Sequence, residues 1–324
     1  MDRGRIAAIV LMLVLTVPRV PAQERGGGGT AAPTAVSSGA RVALVIGNSA
    51  YASMPLRNPV SDATAMAEAL RGCGFEVMLV ADAGLRAMEE AIDAFGDRLG
   101  EGSAALFYYA GHGLQSGGQN YLVPVDAAMK AEKDARYECV DADRVLVRME
   151  SARAGVSIVI LDACRSNPFE RNFRAAGAGL ATMNAADMNI GCLIAYSTSP
   201  GRVAEDGSGS HSLYTASLLE HLKTPGLPVE EVFKRVRAEV LEGTASAQKP
   251  WESTSLTGSF FFVPPAAAPP PTVATSPPAA PQSDAPVEIQ PEQRDAAAFD
   301  TYHNARFDYE IAYPPDILVP QEES

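Results

Sequence analysis

The chain is short of cysteine, and the four it has, Cys73, Cys139, Cys164 and Cys192, show no C-x-x-C spacing. That absence removes the ligand pattern of a structural zinc site and the closely spaced thiol pair of a redox centre. An even count is compatible with two disulfides in an oxidising compartment. Cys164 and Cys192, however, fall at or inside apolar runs that read as buried strands, and a chain of this length needs no staples. Basic charge is also scarce: 26 Lys and Arg stand against 39 Asp and Glu, a net of -13, with no basic cluster. A phosphate backbone finds no footprint here, so nucleic acid is not an expected partner; the acidic balance favours solubility and attracts basic peptides. Beyond the N-terminus no apolar stretch is long enough to cross a bilayer, so no membrane span is expected in the mature chain.

The N-terminus is the exception. Residues 1–24 carry Arg3 and Arg5 in a short head, an apolar run from Ile6 to Val17, and small residues around Ala22 near a cut. This is the pattern of a secretory signal peptide, which predicts a periplasmic or secreted protein; left uncleaved, the same segment would act as an anchor. Residues 25–40 form a flexible lead rich in Gly, Ala and Ser.

From residue 41 the pattern becomes regular. Apolar runs at 41–47, 75–82, 103–111, 121–126, 156–163, 190–197 and 259–264 read as strands. Helical periodicity appears at 59–71, 84–99, 141–153, 211–222 and 229–241. The alternation predicts an α/β domain over 41–264, with a mostly parallel central sheet flanked by helices. A Pro/Ala-rich linker follows over 265–294, which cannot build a core. Residues 295–324 read as a partial or truncated C-terminal module, or a segment that borrows a partner's sheet edge; Phe307, Tyr309, Ile311 and Tyr313 alternate there as on one strand face.

In an open parallel sheet, reactive groups gather at the carboxyl ends of the strands. Two ends are unusual here. LFYYAGHG breaks at Gly111, His112 and Gly113, which predicts an imidazole on a turn, outside the sheet. IVILDACRS runs four branched apolar residues into Asp162 and Cys164. A Cys and a His at neighbouring strand ends can act as nucleophile and general base, with the backbone N–H groups of Gly113 and Cys164 as oxyanion donors. An acid close to a thiol raises its pKa and blunts it, so Asp162 calls for a separate task.

These motifs resemble the caspase-like cysteine peptidases, specifically the bacterial metacaspase-like (orthocaspase) branch. D-A-C-R-S stands where caspases carry Q-A-C-[RQG]-G, with YYAGHG about 50 residues upstream. ALVIGNSAY, LRNPVSDA, AYSTSPG and QKPWESTSLTGSFFF extend the likeness over 41–264. The resemblance implies a caspase-hemoglobinase fold and peptide-bond hydrolysis by a His112/Cys164 dyad. It further implies an S1 pocket for Arg or Lys formed by Asp162 and Asp62, where classical caspases have Gln and take an acidic P1 residue. Two carboxylates clamping a cation fit that task physically; the plainer alternative is that Asp62 caps the helix beginning near Ala63, and it could do both. Ser197, in AYSTSPG, lines the pocket or is a plain turn serine. The expected partners are therefore peptides or proteins with basic P1 residues.

The likeness has departures. Ser166 is followed by Asn167-Pro168-Phe169 where the branch often has Gly. Calcium activation occurs in part of the family; Asp82, Asp93, Asp97, Asp141 and Asp143 are available but show no EF-hand spacing, so no metal site is assigned and no organic cofactor is implied. Residues 165–189 form a long Ala/Gly/Asn-rich segment whose Arg165, Arg171 and Arg174 are candidate self-cleavage sites. His211 and His221 read as surface or packing residues, the methionines and Phe260–Phe262 as core, and Trp251 as a groove wall or an anchor for the final strand. The leading reading is a thiol endopeptidase, whose nucleophile would need reductant outside the cytoplasm. The alternative is a non-catalytic caspase-like scaffold acting through its C-terminal tail.

Overall fold

The computed structural model describes residues 39–164, 180–183, 185, 191–199, 209–265, 300–304 and 309–313. The expected signal peptide, nearly all of the flexible lead, Arg165, Arg171 and Arg174, and the linker beyond Pro265 lie outside the described residues. Inter-residue contacts divide the chain into two units, Met1–Ala267 and Ala268–Ser324.

In the first unit, strands β1 (Arg41–Gly47), β2 (Glu76–Ala81), β3 (Ala104–Ser116), β6 (Val156–Cys164), β7 (Cys192–Tyr196) and β8 (Trp251–Thr254) line up in the order β2-β1-β3-β6-β7-β8. All pairings are parallel except β7 with β8. A short strand, β4 (Gln119–Leu122), pairs antiparallel with the far end of β3, and β5 (Val140–Asp141) pairs antiparallel with β4. Helices α1 (Pro59–Gly72), α5 (Leu213–His221) and α6 (Val229–Gly243) cover one face. Helices α2 (Leu85–Arg98) and α4 (Asp143–Ser151) cover the other, and a single turn, α3 (Ala135–Glu138), precedes β5.

The central strands are apolar on both faces because both faces are covered. Ala43, Val45, Leu106, Tyr108, Ile158 and Ile160 pack under α1, α5 and α6. Their sequence neighbours Leu44, Ile46, Phe107, Tyr109, Val159 and Leu161 pack under α2 and α4. Each such side chain contributes roughly 1.5–3 kcal/mol on burial. Close contact at the end of β1 requires glycine, since a Cβ at Gly47 would lie 2.4 Å from the Pro59 carbonyl oxygen of α1. The next residue, Asn48, ties three segments together: its side chain accepts from Ala83 N–H at 2.9 Å and donates towards the carbonyls of Ala83 and Val123 at 3.2 and 3.3 Å.

Three expectations are corrected. β3 does not break at Gly111 but runs to Ser116, so His112 lies within the sheet. The reason is that β4 supplies a second ladder beyond the end of β1. SFFFVP makes only a bridge from Phe261 to Pro228, while Phe260 and Phe262 fill the core; the antiparallel edge strand is the more polar WEST. Methionine is not uniformly core, since Met54 is 47% exposed.

Cys73, Cys139 and Cys192 are buried free thiols. Among the described residues, no helix is long and apolar enough to cross a membrane. In the second unit, β9 (Asp300–Asn304) and β10 (Tyr309–Tyr313) form an antiparallel pair.

Candidate active site

The parallel ladder of β3 and β6 runs to its last rung at His112 opposite Cys164, with Ala110 opposite Asp162 two rungs earlier. Neighbouring strands lie about 4.8 Å apart, so the backbones of the two expected dyad residues are side by side. Gly111 makes this ending workable. Its φ is +157°, and a Cβ there would lie 2.6 Å from the hydroxyls of both Tyr51 and Tyr109.

His112 is fully buried, and its Nε2 lies 2.7 Å from the Met54 carbonyl oxygen. A carbonyl only accepts, so Nε2 carries the hydrogen and, in the neutral ring, Nδ1 is the basic nitrogen. Tyr51 packs against the imidazole with ring centroids 4.4 Å apart. Its hydroxyl accepts from the His112 backbone N–H at 2.9 Å and donates to the Val123 carbonyl at 3.1 Å. The Tyr109 hydroxyl donates to the His112 carbonyl at 2.7 Å, an oxygen that also accepts from Val123 N–H. Burial pushes both tyrosines upward, so they stay neutral hydroxyls. With both backbone groups of His112 used on the β4 side, strand alternation turns those of Gly113 towards β6. A Cβ at Gly113 would meet Leu180 at 3.0 Å and Ala163 at 3.1 Å, so only glycine fits that approach easily.

Asp62 and Asp162 come from different elements and meet at the start of α5. Asp62 does not cap α1, whose N-cap is Asn58 without a side-chain bond. Its Oδ1 instead lies 2.8 Å from His211 Nδ1, and both its oxygens accept from Ser212 N–H at 3.3 Å. Oδ2 of Asp162 accepts from the hydroxyls of Ser212 at 2.5 Å and Thr215 at 2.8 Å. Because Thr215 spends its hydrogen on Asp162, the Tyr108 hydroxyl, 2.6 Å away, must donate to Thr215. Tyr108 remains protonated: burial raises it, and both aspartates push it further up. Ser212 also caps α5 by accepting from Thr215 N–H at 3.0 Å. Two buried carboxylates are thus held by donors from one short segment and by the positive end of a helix, which offsets the cost of burying their charge.

Ser197 is buried at the end of β7, where its N–H donates to the Leu161 carbonyl and its own carbonyl accepts from Gln248. Its hydroxyl has no partner among the described residues. The carboxylates considered for calcium have structural work: Asp82 accepts from the Ser49 and Ala50 N–H groups, Asp93 and Asp97 pair with Arg144 and Arg148, Asp141 accepts from Asp143 N–H, and Asp143 from Gln119. A cleft lined by Glu68, Cys73, Leu219 and Lys223 lies at the opposite ends of α1 and α5.

A family model for the caspase domain (Peptidase C14) matches residues 40–261. The chain belongs to the caspase domain family. Its sheet and flanking helices are the caspase-like fold, and membership supports a peptidase-like function. Over 126 residues the chain is 34% identical to Mucosa-associated lymphoid tissue lymphoma translocation protein 1 of Homo sapiens, and equally to the Mus musculus homolog. Each match covers 39% of this chain and 15% of the relative. The chain thus matches these relatives over only a small part of their length.

Several residues at the site had no role assigned from sequence. His211 is a ligand of Asp62, not a surface or packing histidine. The Ser-x-x-Thr spacing of Ser212 and Thr215 is a signal that could have marked the cap of α5, though not the partners of Asp162. Tyr51 lies within the quoted ALVIGNSAY motif, whereas Met54 acts through a backbone oxygen that no side-chain pattern announces.

Proposed function

We propose that the protein is a cysteine endopeptidase that hydrolyses peptide bonds after Arg or Lys through a His112/Cys164 dyad. The observation that carries this reading is the pairing of His112 with Cys164 on the last rung between β3 and β6. His112, oriented by Met54 and Tyr51, takes the thiol proton; the sulfur attacks the scissile carbonyl carbon and the C–N bond breaks. The proton passes to the leaving amine, and water then hydrolyses the thioester with His112 as base. Gly113 and Cys164 N–H groups are the oxyanion donors in this scheme.

Asp62 and Asp162 bind the P1 cation and Ser197 lines the same pocket; the burial of both acids, and the place of Asp162 two rungs before the dyad, support that role. The Asp at position 162, where caspases carry Gln, favours the metacaspase-like branch. The N-terminal segment favours export to the periplasm or medium, and the arginines of 165–189 favour self-cleavage.

The test is amidase activity of the full chain on fluorogenic peptides ending in Arg, Lys or Asp, with reductant, with and without calcium, beside Cys164→Ala. Cleavage after Arg or Lys that disappears in the variant is expected. Cleavage after Asp would keep the dyad and overturn the P1 assignment. Silence from folded protein with a free thiol would favour the scaffold reading.

A further inference from the structure

His211 occupies the carboxylate that a substrate cation would need. Its Nδ1 sits 2.8 Å from Asp62 Oδ1, and the imidazole is 27% exposed while the Asp62 side chain is 2% exposed. The imidazole, not the acid, therefore meets solvent. We propose that His211 is a specificity-determining residue, an internal ligand of Asp62 that a P1 guanidinium or ammonium group must displace. This rests on the reading of Asp62 and Asp162 as P1-binding acids.

The local build allows the exchange. His211 precedes Ser212, the N-cap of α5, so its side chain can swing away without breaking a helical hydrogen bond. Asp62 keeps the Ser212 N–H while this happens, and Ser212 stays fixed by its own bonds to Asp162 and Thr215. A neutral P1 side chain has no charge to offer Asp62 and leaves the imidazole in place, whereas a cation replaces it with a charge-assisted bond. The internal ligand thus reserves Asp62 for cationic P1 residues.

The test uses the full chain carrying Cys164→Ala, so that chemistry does not intrude. Calorimetry would follow binding of a peptide amide ending in Arg and of its citrulline twin at one pH, with and without His211→Ala. The Arg peptide is expected to tighten about threefold or more in the Ala variant, which no longer holds the Asp62 oxygen, while the twin changes by less than about twofold. Equal Arg affinities in both proteins, with the Arg preference intact, would overturn the role of His211 alone. Failure to prefer Arg over citrulline, or to bind either, would overturn the P1 assignment beneath it. Should the Ala variant melt early, His211→Gln repeats the comparison with the same outcomes.

Discussion

Asp162→Asn separates the charge at the proposed P1 site from the scaffold that holds it. The Asn carbonyl oxygen can take the place of Oδ2 and still accept from Ser212 and Thr215, now 2.5 and 2.8 Å away. Side-chain volume is nearly unchanged, so the fold should survive. Each of those two bonds falls from a charge-assisted worth of about 1.5–3 kcal/mol to about 1 kcal/mol, so stability should drop by about 1–4 kcal/mol. Binding loses more specifically. Removing one charge-assisted contact to a guanidinium should lower kcat/KM for an Arg peptide by about 10- to 150-fold. A citrulline peptide should change by less than about threefold, since it never used the charge. Steady-state kinetics on the pair, with a thermal melt on the same samples, reads both effects. Equal losses on both peptides would mean that Asp162 only braces α5, and the P1 assignment would be withdrawn.

Four further perturbations test the surroundings. Tyr51→Phe keeps the ring against His112 but leaves the buried His112 N–H without its acceptor, at a cost of about 1–3 kcal/mol, and kcat should fall more than KM rises; unchanged melting and kcat would refute the bracing role. Gly111→Ala puts a Cβ within 2.6 Å of two tyrosine hydroxyls at a φ of +157°, so both stability and activity should be lost, and full activity would contradict the strand ending described. Burial pushes Cys139 and Cys192 up to about 12 and also raises Cys73, so iodoacetamide at pH 7 should label the folded protein at Cys164; mapping that finds the label elsewhere would refute the assignment. Burial alone would raise Glu239, but bonds from Ser217 and His221 outweigh it and hold the carboxyl low. Its contribution is therefore present above the ordinary Glu range and lost on acidification, so Glu239→Gln should melt earlier than the parent at pH 7, with the gap closing below about pH 4.

The central strands were legible because burial on both faces leaves continuous apolar runs such as VALVI and IVIL, and the helices because one face must stay polar. The errors have physical causes. Glycines around His112 look like a turn, yet β3 uses them to keep the sheet going where two tyrosine hydroxyls press close. Among the described residues WEST pairs on one side only and needs little apolar content, while SFFFVP spends its aromatics on packing against helices. Of the site, Asp62 and Asp162 could be nominated by residue type, but the link from Asp62 to His211 spans 149 positions and depends on how α1 and α5 meet.

That meeting has a consequence for anyone who would redesign the proposed pocket. The same carboxylate oxygens proposed to read the substrate also fasten α5 to α1 and β6. Reversing the pocket's charge to accept acidic residues cannot be done one position at a time, because each replacement would also unhook a helix. The workable unit of change is the segment HSLYT together with both aspartates, and libraries that vary those positions jointly are where altered selectivity with an intact fold should be found.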